Sequence, residues 1–327
     1  MNRKYIILLA LLILPPYLGE LLSASSPPLV FFNPAGFFYL VMFYGCGTIL
    51  IRELRVRWKL QWPVILLAAA YGIVEEGIMV KSFFNPGWGD MGSFSSYGMY
   101  LGVQWVWVIM LLIYHATLST LIPIALMDLL WPDCATEALM KDKNLIMTTV
   151  LFFAVTVLGT FYWGNMVEGK MLPFFPKPIL MIASIALVFT FVYFAYWFRT
   201  SYLSVTFGRV WPPFLFGVAG FLQQGLNFWG PVILAGLKVP ASATICGQMI
   251  LSAMILLFIG FQIYHQQCTR RHLIALCSGA LLQWIIITPI HEFAKTDNPE
   301  PMRGMLWVGV ISLVLLLSWR KKALSAA

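Results

Sequence analysis

Two adjacent carboxylates, Glu75 and Glu76, interrupt the apolar run YGIVEEGIMV, and the residues one turn away, Tyr71, Gly72, Met79 and Val80, supply no cation. Lys81 follows five and six positions on, a poor register for a helical pair. Ionisable groups inside an apolar span are costly, so such a pair is read first as functional. The chemistry within its reach is proton abstraction from water, or capture of a proton or cation. The bland alternative is a polar lock between helices.

Three further stretches carry reactive or polar groups. In LLIYHATLSTLIP, His115 and Ser119 lie one turn apart and share a helical face. His291 and Glu292 open HEFAK, which would match the zinc motif HExxH if Lys295 were a histidine. An ammonium cannot replace the second imidazole ligand, which excludes a zincin. A helix end with local ion pairs among Glu292, Lys295, Asp297 and Arg303 explains that stretch equally well. Gln223 and Asn227 are one turn apart, with Gln224 beside them. They either line a substrate path with Ser119 or bond across helices for about 1 kcal/mol each. No nucleophile motif, P-loop or dinucleotide fingerprint occurs, and the sequence names no cofactor.

The elements that must position these groups follow from composition. Of 327 residues, 60% are hydrophobic and 10% charged, with a mean hydropathy of +0.83. Soluble domains carry nearer a quarter charged residues, so the chain is expected in lipid. Ten apolar runs reach spanning length, at about 5–22, 34–51, 62–80, 102–127, 145–163, 179–198, 211–236, 241–264, 273–290 and 304–319. Alternating ten-residue strands are absent, and lipid demands an internally bonded backbone. The prediction is an all-α, polytopic bundle forming a single transmembrane domain over residues 1–327. Pro212, Pro213, Gly217, Gly220, Gly225 and Gly230 predict a broken or kinked seventh span.

Lys and Arg set the orientation. With the N-terminus inside, 15 of them fall on inner segments (Arg3, Lys4, Arg52, Arg55, Arg57, Lys59, Lys141, Lys143, Arg199, Arg209, Arg270, Arg271, Arg320, Lys321, Lys322) and six on outer ones. The chain is therefore read as N-in and C-in, a multi-pass protein of the cytoplasmic membrane. The net charge of +8 then reflects inner loops facing anionic lipid headgroups, not nucleic-acid binding. The first span also has the basic start, apolar run and small residues of a cleavable signal, with retention favoured. Five cysteines without paired spacing are read as packing residues. The repeated FFNP, at 31–34 and 83–86, is read as turn initiation.

Depth separates the candidates. Glu75 and Glu76 fall roughly 6–8 Å below the outer end of their helix, whereas His115 falls roughly 20 Å below the end of the next. They meet only if a helix is tilted, broken or displaced.

The order of these residues resembles the CAAX prenyl protease and bacteriocin-processing family of intramembrane proteases. That family carries EExxxR on one helix, FxxxH on a later one and HxxxN or HxxxD further on. Glu75-Glu76 is similar to the first motif, with Val80 at the Arg position. Leu111-to-His115 is similar to the second, with Leu for Phe. His291 stands for the third, with Lys295 at the Asn/Asp position and a far longer separation. The prenyl-protease branch opens its site to the cytoplasm, whereas the charge rule puts Glu75 and Glu76 near the outer face. The resemblance implies water activated by a glutamate, directly or through a metal. Glu76 would be the base, with His115 and His291 as metal ligands or oxyanion stabilisers.

Three functions fit the sequence. An intramembrane hydrolase uses Glu75 and Glu76 with His115 to activate water. A permease for a small polar or cationic solute uses the same pair as its ion site, in two mirrored five-helix halves. A scaffold uses the polar groups only to pack helices. The hydrolase is preferred, because packing alone accounts poorly for an acidic pair and a histidine together.

Overall fold

The computed structural model describes residues 2–167, 170–293 and 302–325. Lys295 and Asp297 lie outside the described residues. Ten long helices account for the architecture: α1 (Arg3–Leu21), α2 (Pro34–Arg57), α3 (64–79), α4 (Trp105–Leu130), α5 (Asp142–Tyr162), α6 (Pro178–Trp197), α7 (Pro213–Gly236), α8 (Ala241–Ile263), α9 (Arg270–Phe293) and α10 (Met305–Ser325). Each coincides with one predicted span, with ends shifted by a few residues. Seven are long and apolar enough by themselves to cross a bilayer; α3, α7 and α10 are the others. The only strands among the described residues are two short hairpins, β1 (Met99–Tyr100) with β2 (Val103–Gln104), and β3 (Gly164–Val167) with β4 (Lys170–Pro173).

The core is built by α1 to α4 with α9. Leu11, Leu118 and Trp284 are fully enclosed there. By contrast α6 and α8 turn apolar side chains such as Ile179, Phe189, Met254 and Leu257 outward. A helix that is apolar all round and barely packed is suited to lipid contact.

Loops collect at two ends. At one end Lys4 Nζ donates to Ala138 O at 3.1 Å, Arg55 pairs with Asp128 at 2.5 Å, and Trp319 Nε1 donates to Leu126 O at 3.0 Å. At the other, Asn85 Nδ2 donates to Asn165 Oδ1 at 2.7 Å and Tyr97 OH to Val239 O at 2.8 Å. The arginines of α2, however, do not wait for headgroups. Arg52 is buried against Glu53 at 2.8 Å and donates to Glu137 O at 2.6 Å, and Arg57 pairs with Asp142. Folding the 133–142 segment onto α2 satisfies its carbonyls and uses these charges.

The seventh span corrects one expectation. It is not broken: α7 runs continuously for 24 residues through Pro231. Gly217 and Gly220 serve close packing. A Cβ at Gly220 would lie 2.3 Å from Leu276 O, and one at Gly279 of α9 would lie 1.8 Å from Gly217 O. Backbone meets backbone here, the usual use of small residues between membrane helices. The two FFNP stretches also part ways. Asn33 caps α2, accepting from Ala35 N and Gly36 N, while Asn85 accepts from Gly87 N in the segment after α3.

Candidate functional site

Among the described residues, four helices depart from α-helical pitch, each over one short π-helical stretch: Tyr17–Leu21 in α1, Val41–Gly45 in α2, Val74–Met79 in α3 and His115–Leu121 in α4. Such stretches are rare and concentrate at functional sites. Here each one contributes to a single cluster: Glu20, Tyr44, Glu75 with Glu76, and His115 with Ser119.

The segment 81–104 resolves the difference in depth. Lys81, Ser82, Phe83, Phe84 and Asn85 are buried, so the chain leaves α3 inside the bundle and not at its surface. Gln104 N donates to Phe83 O at 2.9 Å, closing the segment where α4 begins. The end of α3 is thereby sunk to the level of His115.

His115 is the centre of the cluster. Its Nε2 lies 2.9 Å from Glu76 Oε1, and its Nδ1 lies 3.0 Å from Glu75 Oε2 and 3.2 Å from Ser119 Oγ. All four residues are buried. The other oxygen of Glu76 accepts from Ser82 Oγ, which in turn accepts from Trp107 Nε1 at 3.0 Å. This chain fixes the carboxylate. Glu20 joins from α1, accepting from Tyr44 OH and, at 2.6 Å, from Ser26 Oγ. Room for α1 depends on Gly19, where a Cβ would sit 2.6 Å from Ser119 Oγ.

One ligand atom each from Glu75, Glu76 and His115 lies within 4.8 Å of the others. Two carboxylates and an imidazole form a donor set that divalent transition metals accept. With Nε2 on a metal, Ser119 would hold the ring through Nδ1, as outer partners of metal-bound histidines do. Without a metal, the ring bonds Glu76 through Nε2 and Ser119 through Nδ1, with Glu75 as an ion-pair neighbour at 3.0 Å. A cavity of about 620 Å³ opens onto the cluster and reaches Trp88, Asp90 and Trp163 at its rim. That is ample for a small organic ligand.

The remaining candidates divide. His291 borders this cavity, with its ring 6.2 Å from that of Trp229, but makes no hydrogen bond to either carboxylate. Glu292 accepts from Leu306 N at 2.6 Å and ties α9 to α10. Gln224 donates to Thr117 Oγ1 at 2.9 Å and accepts from Trp284 Nε1 at 3.1 Å, and Asn227 donates to Met110 O at 2.9 Å. These amides bond α7 to α4 and α9. Gln223 and Asn227 border a recess of about 10 Å³, room for one water, and are not among the residues lining the larger cavity. Lys81 turns away from the carboxylates and donates to Thr160 O and, at 2.8 Å, to Trp163 O.

Sequence reading overlooked Glu20, Tyr44 and Asp90. Glu20 carried a usable signal as the one acidic residue of the first apolar run. Asp90, outside the helices at the rim, is pushed up to about 6 by desolvation and then by the charge of Glu76.

Ten largely apolar helices, with an acidic and histidine cluster enclosed among them, define a multi-pass helical membrane protein. The chain belongs to an uncharacterized membrane protein family, whose model matches residues 8–224. That match covers Glu20, Glu75, Glu76, His115 and Ser119 and ends before Asn227 and His291. No curated protein and no solved structure matches the chain.

Proposed function

We propose that the protein is an intramembrane hydrolase that activates water at Glu75, Glu76 and His115. The observation that carries this reading is the imidazole of His115 set between two buried carboxylates on a cavity wall. Glu76, held by Ser82, is the base that takes a proton from water. His115, charged by that proton, donates to the oxyanion formed as hydroxide adds to the substrate carbonyl, and the proton then passes to the leaving amine or alkoxide as its bond to that carbon breaks. Glu75 and Ser119 orient the ring. A divalent ion held by Glu75, Glu76 and His115 would add Lewis acidity at the same place. His291, across the cavity, is a second donor available to the substrate.

The resemblance to the CAAX prenyl protease and bacteriocin-processing family supports the same roles for the Glu pair and His115. Its Arg position finds no substitute, because Lys81 bonds to backbone carbonyls. The permease reading has weaker support. Its two halves should mirror one another, yet all four π-helical stretches lie in α1 to α4. From residue 170 on, the described residues hold one acidic group, Glu292.

Hydrolysis leaves a water oxygen in the product, which gives a test independent of the substrate's name. Membrane extract incubated with purified protein in ¹⁸O-water should gain labelled carboxylates, detected by mass spectrometry. Glu76→Gln and His115→Gln should each lower that labelling by about 100-fold or more. Equal labelling by wild type and Glu76→Gln would refute the hydrolase. Loss of labelling with a chelator, restored by one added metal, would assign the metal-assisted form.

A further inference from the structure

The cavity on the cluster has a one-sided charge. Among the described residues, four of the chain's 13 acidic groups line it, Glu20, Glu75, Glu76 and Asp90, and none of its 21 lysines and arginines does. This contrasts with a net charge of +8 for the whole chain.

Aromatic rings stand at the rim beside the outermost carboxylate. Trp163 meets Tyr39 with 5.9 Å between ring centroids and Trp88 with 6.1 Å, both edge-on, and all three border the cavity. Their polar atoms fix the corner: Trp163 Nε1 donates to Tyr39 OH at 3.0 Å and Trp88 Nε1 to Asp90 Oδ2 at 3.2 Å. Deeper in, Glu75 is 3% exposed, and its Oε2 lies close to His115 Nδ1 but out of line for a hydrogen bond. That oxygen has the His115 ring beside it but no aligned hydrogen-bond donor, so a donating group on a ligand would satisfy it.

We infer that the cavity takes an organic ammonium ion, its cationic head held between the Tyr39–Trp88–Trp163 corner and the carboxylates. Aromatic faces attract cations through their quadrupole, and a corner of rings with a carboxylate suits alkylated ammonium groups. A bare metal ion would occupy Glu75, Glu76 and His115 and leave the aromatic corner without a role. An anionic ligand would meet four carboxylates against two histidines, His115 and His291, with His115 already paired to Glu75 and Glu76 and no lysine or arginine to help. The inference rests on the hydrolase reading only for the step after binding, where a carbonyl of the same molecule would be presented to Glu76 and His115.

The test is calorimetric titration of the full-length protein, in an uncharged maltoside detergent, with benzyltrimethylammonium and its neutral isostere neopentylbenzene. The cation should bind one to one and about tenfold or more tighter than the neutral probe. Asp90→Asn and Trp163→Leu should each weaken it by about three- to tenfold. Because Asp90 is at the surface, its variant keeps the test decisive if Trp163→Leu misfolds. Equal affinity for the two probes, or cation binding unchanged in Asp90→Asn and in a folded Trp163→Leu, would overturn the inference. Two bilayer arms identify the source of the ammonium group. Loss of probe binding in phosphatidylcholine nanodiscs, but not in phosphatidylglycerol ones, assigns a lipid headgroup, and binding in both assigns a free solute. Hydrolysis without cation selectivity would refute this inference and leave the hydrolase standing. Cation binding in a protein that hydrolyses nothing would do the reverse.

Discussion

Asp90 and Glu76 belong to one electrostatic unit although one lies at the rim and the other in the core. Asp90 is protonated below about pH 6 because of desolvation and the charge of Glu76. A cation in the cavity favours its ionised form, so affinity for benzyltrimethylammonium should rise as pH increases through that value. Titrations on either side of pH 6 should show the rise in wild type and its absence in Asp90→Asn. The comparison isolates Asp90 from Glu20, Glu75, Glu76, His115 and His291, which share the cavity. At this scale the sequence showed the site unevenly. Glu75, Glu76 and His115 were legible because ionisable groups in apolar runs are costly and conspicuous. Glu20 was as conspicuous, but its run also read as a cleavable leader. Asp90 lies in a polar loop where any acid looks ordinary, and only folding brings it to the cavity. The amides of α7 were legible as polar groups, while their partners on α4 and α9 were not.

At the scale of elements, pitch decides what meets. A helix advances about 100° per residue, so removing one residue ahead of the acidic pair should turn both carboxylates away from His115. Deletion of Val74 should yield a monodisperse, inserted protein whose ¹⁸O labelling falls to the level of Glu76→Gln. Normal labelling would show that the π-helical stretch of α3 does not aim the pair. Nothing in composition announces such a stretch, because the same residues suit either pitch; the expectation that a helix must be displaced was the most the sequence yielded. The α7–α9 contact makes a separate prediction. Gly279→Val drives a branched side chain into Gly217 O and should cost about 1–3 kcal/mol. Thermal unfolding in detergent should show the loss, which a flexible or distant α7 would not suffer. The glycines and prolines of α7 were visible in the sequence and pointed to a break; that glycine serves packing as readily as bending became clear only from α9.

For the whole molecule, ten apolar runs were legible because each needs only length and hydropathy; each reappears as a helix, and seven of these are long and apolar enough by themselves to cross a bilayer. Which end faces the cytoplasm rests on the distribution of Lys and Arg. A fluorescent protein fused after Ala327 should therefore fluoresce, and a phosphatase inserted after Lys177 should be active only if exported. The opposite pair of results would invert the molecule and place the mouth of the cavity in the cytoplasm, as in the prenyl-protease branch. Either outcome leaves the internal arrangement intact, since both loop sets are gathered by contacts within the protein.

The four π-helical stretches have a consequence for the history of such a chain. Each accommodates one residue more than an α-helical turn would. A bundle lacking those four residues would span the membrane with the same helices and loops, but with Glu20, Tyr44, Glu75, Glu76 and His115 rotated toward other neighbours. The scaffold and the cluster are thus separable by very small genetic steps. An ancestor without the cluster could acquire it by single-codon insertions, and a descendant could lose it the same way while still folding.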